Sequence, residues 1–415
     1  MKNNIITYTI FSILFSCIIG FISMVCVYSI PVEKIRENAK ESLPLLIKEN
    51  EFYQWNKELT GSKIDNFSTS IMINNASFLG RDSIIYDAVM NPRVQYPNIN
   101  KIADLYLSLN ENTLNPNTII DYSRYWHGYL ILLKPTLLFF NLKEIRIINF
   151  IFQNILLLIT LYLLTKRLNF KYALAFLVST IYLNPISLSM CPQFYSTYYI
   201  MLISCICMLL SNHQNNHWKI FLFSGIATSF LDILTSPLIT LGFPLIVYIN
   251  LYPNNLHKDI KNIIKNSILW SSGYSMMWIS KWILASIITP NNIIKDGLTS
   301  LIYRISGDGS SEAGVTNWTS LNSILRNAHE FYNTTNLIIF LIFLLILTSS
   351  YFIKKYNFVK NHSSITNLFI GLYPFIWYSI IINHSIVHPM LTYRILTISI
   401  LSICMSIVCI LKDRR

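Results

Sequence analysis

Apolar residues fall along this chain in continuous runs, not in alternation. Runs of 17 to 23 residues recur from one end to the other, and a helix of about 20 such residues crosses a bilayer. They predict ten spans, near residues 5–28, 145–164, 172–190, 196–212, 218–234, 237–252, 266–288, 336–354, 366–383 and 390–411. The polar positions gather into two long stretches, 29–144 and 289–335. The chain thus divides into a first transmembrane helix (1–28), a large loop with interfacial helices (29–144), a transmembrane bundle (145–288), a second loop (289–335) and C-terminal transmembrane helices (336–415). The fold class is an all-α polytopic membrane protein. A β-barrel is excluded, because its strands alternate polar and apolar at every second residue.

The stretch Tyr129 to Asn141, YLILLKPTLLFFN, is shorter than the other runs and holds Lys134-Pro135. It reads as a helix lying at the membrane interface. The stretch opening at Val32, VEKIRENAKESLPLLIKENEFYQW, reads as an amphipathic helix kinked at Pro44. In the second loop, SGDGSSEAG, Ser306 to Gly314, reads as a flexible run. The first apolar run, Ile5 to Val27, is too long for the core of a signal peptide and lacks an A-x-A-like cleavage site. It reads as a retained span.

Composition agrees. The 415 residues are 53% hydrophobic and 13% charged, with mean hydropathy +0.45, against roughly 25% charged in a soluble domain. A net charge of +12 invites a nucleic-acid partner. The lysines and arginines, however, cluster in short loops: Lys166, Arg167 and Lys171; Lys258, Lys261 and Lys265; Lys354, Lys355 and Lys360; Lys412, Arg414 and Arg415. With ten spans these fall on one side, together with the N-terminus. Basic loops stay cytoplasmic, so both termini are expected there. That is topology charge, and no nucleic acid is expected. The seven cysteines lack metal-site spacing and read as small buried hydrophobes.

Charges inside apolar runs are costly and usually have a partner or a ligand. Asp232, Lys281 and Arg394 lie on three different expected spans at one depth, below the outer surface. His384 and His388 precede Arg394. Each has a plainer reading. Lys281, between Trp278 and Trp282, suits a snorkelling anchor, and Asp232 suits an ion pair within the bundle. Together they suit a cationic pocket for a phosphate with an apolar groove below it. Arg provides a bidentate fork and Lys a point charge.

With these residues in view, the chain resembles the GT-C class of integral membrane glycosyltransferases, bacterial members tied to surface polysaccharides in particular. The architecture and the strings SRYWHGYLILLKPTLLFFN, LDILTSPLITLGFP and NHSIVHPMLTYRIL carry the resemblance. It implies sugar transfer from a polyprenyl-phosphate donor to a glycan or lipid-linked acceptor at the outer face of the cell membrane. It also implies an essential acid in the first loop. No D-x-D or E-D pair is present there. Asp65 is the preferred base, with Asp82 and Asp232 as the other catalytic candidates. Arg394, Lys281, His384 and His388 are the candidates for the phosphate. Tyr125, Trp126 and His127 are the candidates for the sugar, and Arg124 and Tyr393 are further substrate-binding candidates. No cofactor is required, and a divalent metal is compatible. The rival readings are a transporter, flippase or polymerase of a lipid-linked polysaccharide, and a non-catalytic accessory membrane protein.

Overall fold

A computed structural model describes residues 2–211, 216–307, 318–332, 334–354, 357–358 and 362–412. Residues 308–314 of the glycine-rich run, Lys355 and Lys360, and Arg414 and Arg415 lie outside the described residues.

The described residues are mostly helical, as in an all-α membrane protein. Among the described residues, four helical stretches are long and apolar enough to cross a membrane: Ile5–Tyr28, Leu142–Arg167, Pro192–Leu210 and Pro389–Ile410. A fifth arises if the helices Ser320–Phe331 and Thr335–Ser349, bent by 75°, form one span. The other expected spans fall on helices that are shorter, broken or more polar. The 172–190 run splits into Phe170–Ile181 and Pro185–Met190. Asn184 lies between them in the left-handed conformation and caps Ser187 N, and Pro185 opens the second helix. The 366–383 run splits into His362–Ile370 and Tyr373–Ile380. Ile239–Leu251 is apolar and buried but has only 13 residues, about 20 Å, shorter than those four stretches. Leu130–Leu137 has eight residues, about 12 Å, too short to cross.

Asparagine sets many of the helix starts. Asn100, Asn141, Asn169, Asn255 and Asn292 each accept a backbone N–H at an N-cap, satisfying donors that the helix itself leaves open. Asn141 and Glu144 form a reciprocal capping box ahead of Leu142–Arg167.

The first loop is an ordered subdomain. Its helices Glu33–Glu49, Asn66–Ala76 and Lys101–Asn110 enclose a core of Ala39, Leu43, Leu46, Ile73, Leu105 and Leu109. Two short antiparallel pairs, Phe52–Gln54 with Lys63–Asp65 and Arg93–Val94 with Ile119–Ile120, brace it. Buried Arg36 donates to the carbonyls of Ser77, Ser108, Leu109 and Glu111 at 2.7–3.0 Å. One guanidinium thereby closes four carbonyls that would otherwise be costly to bury. Arg146 reaches up from the bundle to Glu49 at 2.9 Å and Asn66 at 2.8 Å, fixing the subdomain on the helices below.

Candidate functional site

A cavity of about 320 Å³ lies where the first loop meets the bundle, beside the Ile293–Ile305 and Ile382–Val387 helices. Arg124, Tyr125, His127, Arg304, His384 and His388 line it. No Asp or Glu lines it among the described residues. A second cavity of about 350 Å³ abuts it, walled by Leu132, Leu133, Phe140, Ile148, Phe152 and Tyr199. Met72 and Tyr129 belong to both walls. A cationic chamber thus shares a wall with an apolar groove.

The Tyr122–Tyr129 turn shapes the chamber. Gly128 N donates to Phe230 O at 2.9 Å, and a Cβ on Gly128 would lie 2.5 Å from that oxygen. His127 takes a left-handed backbone, φ 54°. Its Nε2 donates to Tyr122 O at 2.9 Å, and its Nδ1 faces the Tyr129 hydroxyl at 3.1 Å. Burial, reinforced by the Lys281 charge, lowers the His127 pKa to about 3, so the ring is neutral and polar. Tyr125 packs edge-on against Trp278 and accepts a 2.5 Å hydrogen bond from Arg304 Nη2. The Arg304 guanidinium lies 5.3 Å from the Tyr125 ring centre. Arg304 forms no ion pair among the described residues, whereas Arg124 has only a loose one, 3.7 Å from half-exposed Asp296. His384 Nε2 donates to Leu234 O at 2.8 Å, which leaves its other nitrogen toward His388, ring centres 4.9 Å apart. Burial, then the His388 and Arg304 charges, hold His384 well below the usual histidine range.

The three intramembrane charges do not meet in this chamber, which corrects the shared-pocket expectation. Lys281 is buried, donating to Val89 O at 2.6 Å and Asn91 Oδ1 at 2.9 Å. It pins the end of the Ile84–Met90 helix to the bundle. Asp232 accepts from Thr235 N at 2.9 Å and Thr235 Oγ1 at 2.6 Å. It ties the turn that holds Leu234 at φ 73°, and it pairs with neither Lys281 nor Arg394. The direction each side chain takes around its helix was not legible from sequence. Asp82 is exposed on a loop away from both cavities. Trp126 is buried behind the wall, its Nε1 donating to Met277 O at 2.7 Å.

Asp65 and Arg394 are both buried, and the Arg394 charge acts on the Asp65 carboxyl without a direct bond between them among the described residues. Asp65 is 2% exposed. It caps the helix Asn66–Ala76, accepting from Ser68 N at 2.9 Å, and Ser68 lines the chamber. Burial raises its pKa, opposed by Ser68, Gln193 and the Arg394 charge. Arg394, 1% exposed, sits in a 3₁₀ turn, Tyr393–Leu396. Its guanidinium lies 3.9 Å from the Phe194 ring centre, Nη1 donates to Met390 O, and Nε has no hydrogen-bond partner among the described residues. Tyr393 turns its hydroxyl away, toward Gly61 and a third cavity of about 150 Å³. Among the described residues no group of three or more His, Cys, Asp or Glu side chains is placed to hold a metal ion.

Sequence reasoning missed Arg304. It lies in an amphipathic helix of the second loop, where an arginine is cheap and attracts no notice. The available signal was the apolar–polar period of IIKDGLTSLIYRI. Comparison with family models, with curated proteins and with solved structures finds no match.

Proposed function

We propose that this protein is a glycosyltransferase of the cell membrane. It moves a sugar from a polyprenyl-phosphate donor to a glycan or lipid-linked acceptor at the outer face. One observation carries the reading: a cationic chamber without lining carboxylates shares Met72 and Tyr129 with an apolar groove. A phosphate joined to a long hydrocarbon has this shape and polarity. The tail lies along Leu132, Phe140 and Phe152, the phosphate meets Arg304 and Arg124, and the sugar stacks on Tyr125 beside His127. The ten-span threading, with both termini cytoplasmic, belongs to the same proposal.

In the reaction the acceptor hydroxyl oxygen attacks the anomeric carbon. Its proton passes by way of the chamber-lining Ser68 hydroxyl to the Asp65 carboxylate behind it, which lines neither cavity itself. The bond from carbon to phosphate oxygen breaks, and its electron pair leaves with the polyprenyl phosphate. Arg304 offsets the negative charge that develops there, an electrostatic contribution worth about 10²–10³-fold per donor. General-base assistance is worth about 10²–10⁴-fold. Arg394 does not touch the phosphate in this scheme. It sits behind Asp65 as a positioning residue and favours its ionised form.

Purified protein given a radiolabelled polyprenyl-phosphate sugar is expected to release polyprenyl phosphate and to label an acceptor. Arg304→Gln and Asp65→Asn are each expected to lower that rate at least 10²-fold, with insertion unchanged. Movement of intact donor across vesicles without cleavage of the sugar bond sinks the transferase reading in favour of transport.

A further inference from the structure

The first helix, Lys2–Tyr28, meets the 33-residue helix Leu256–Ile288 where Gly20 faces Met277. Toward their N-terminal ends the two enclose a groove of about 990 Å³. Its walls are apolar and exposed: Ile6, Ile10, Ile264 and Ile268 are each more than half exposed. Its mouth is basic. Lys258, Lys261 and Lys265 line it, spaced three and four residues apart and so on one helix face. All three are exposed, and none forms an ion pair among the described residues. Among the described residues no carboxylate lines the groove; neighbouring Asp259 is buried and bonded to Asn254.

Position along the helix decides what such a groove meets. Lys261 and Trp282 are separated by about 31 Å of helix, close to the ~30 Å thickness of the hydrocarbon core. Trp282 donates to Arg124 O at the chamber. If the chamber lies at one headgroup layer, the lysines lie at the other. Basic pockets between helices on that side suit anionic lipid headgroups.

We propose that this groove is a binding site for an anionic phospholipid of the opposite leaflet. The phosphate rests on Lys258, Lys261 and Lys265, and an acyl chain lies along Ile6, Ile10, Ile264 and Ile268. The site is distinct from the chamber and holds whatever reaction the chamber performs. The lipid wedges the splayed ends of the two helices and neutralises three adjacent cations.

The test is native mass spectrometry of the full chain in detergent, titrated with phosphatidylglycerol or with phosphatidylcholine of identical chains. Phosphatidylglycerol is expected to bind at least about tenfold tighter, each Lys→Gln change to weaken it about fivefold, and K258Q/K261Q/K265Q to erase the preference. The charge-matched K34Q/K40Q/K48Q, on an exposed face of the first loop, is expected to retain it. Equal binding of the two lipids overturns the proposal. So does a preference that survives the groove triple, or one that the loop triple abolishes equally. Displacement of phosphatidylglycerol by millimolar inorganic phosphate identifies a soluble-anion site and also overturns it. If the triple variant does not fold, the single variants carry the same test.

Discussion

Arg394 and Asp65 lie more than 300 residues apart in the sequence, yet the Arg394 charge acts on the buried Asp65 carboxyl. Their coupling has a direction that can be measured. Burial pushes the Asp65 carboxyl up, and the Arg394 charge pulls it back down. A base must be deprotonated to act, so activity falls with pH once Asp65 takes up its proton. Removing the cation raises the Asp65 pKa further. Arg394→Gln is therefore expected to move the acid limb of kcat/KM to higher pH, with kcat recovered in part at alkaline pH. A uniform loss at every pH assigns Arg394 to folding or to the phosphate instead. Lys281 and Asp232 show why residue-level reading stopped short. Their presence inside apolar runs marked them as partnered, which they are, but the partners are backbone and neighbouring polar groups: Val89 O and Asn91, Thr235 N and Thr235 Oγ1. A buried cation that closes a carbonyl and one that holds a ligand look alike in a sequence. Arg304 escaped for the opposite reason, because nothing about an arginine in a polar loop predicts that the loop folds back over the bundle.

At the scale of elements, the long uninterrupted apolar runs were legible, since length and hydropathy alone define them. Leu142–Arg167 lies within three residues of its expected bounds at each end. The runs that broke did so at Asn184-Pro185 and near Gly371 and Pro374, where backbone conformation overrides hydropathy. Helix packing depends on still smaller signals. Gly225 and Gly273 place the His217–Leu231 helix directly against Leu256–Ile288. A Cβ on Gly225 would lie 2.1 Å from Trp270 O, and one on Gly273 would lie 2.5 Å from Leu222 O. Both obstacles are backbone and cannot rotate away. Small residues permit this close approach between membrane helices. Gly225→Leu is expected to force the pair apart at a cost of about 1–3 kcal/mol, read as a lower melting temperature in detergent. The displaced Trp270 would also lose its 3.0 Å bond to Thr240 Oγ1. Unchanged melting would mean the two helices separate freely.

For the whole molecule, one helix relates the two ends. Leu256–Ile288 carries the lysine-lined groove near its start and contacts the arginine chamber near its finish. Its length of about 50 Å exceeds a hydrocarbon core, so on the proposed threading the two features occupy opposite headgroup layers. The direction of insertion then decides which chemistry is available. Basic clusters at the groove end favour the cytoplasm for it, and the chamber then opens outside, as the proposed transfer from a polyprenyl-phosphate sugar requires. Single cysteines test this in a chain whose exposed Cys26 and Cys207 have been replaced by serine. Asn112→Cys, on an exposed turn of the first loop, is expected to react with a membrane-impermeant maleimide in intact cells. His257→Cys, at the groove, is expected to react only after permeabilisation. The reverse pattern would put the arginine chamber in the cytoplasm, where soluble nucleotide sugars compete and an apolar groove for a polyprenyl tail loses its purpose.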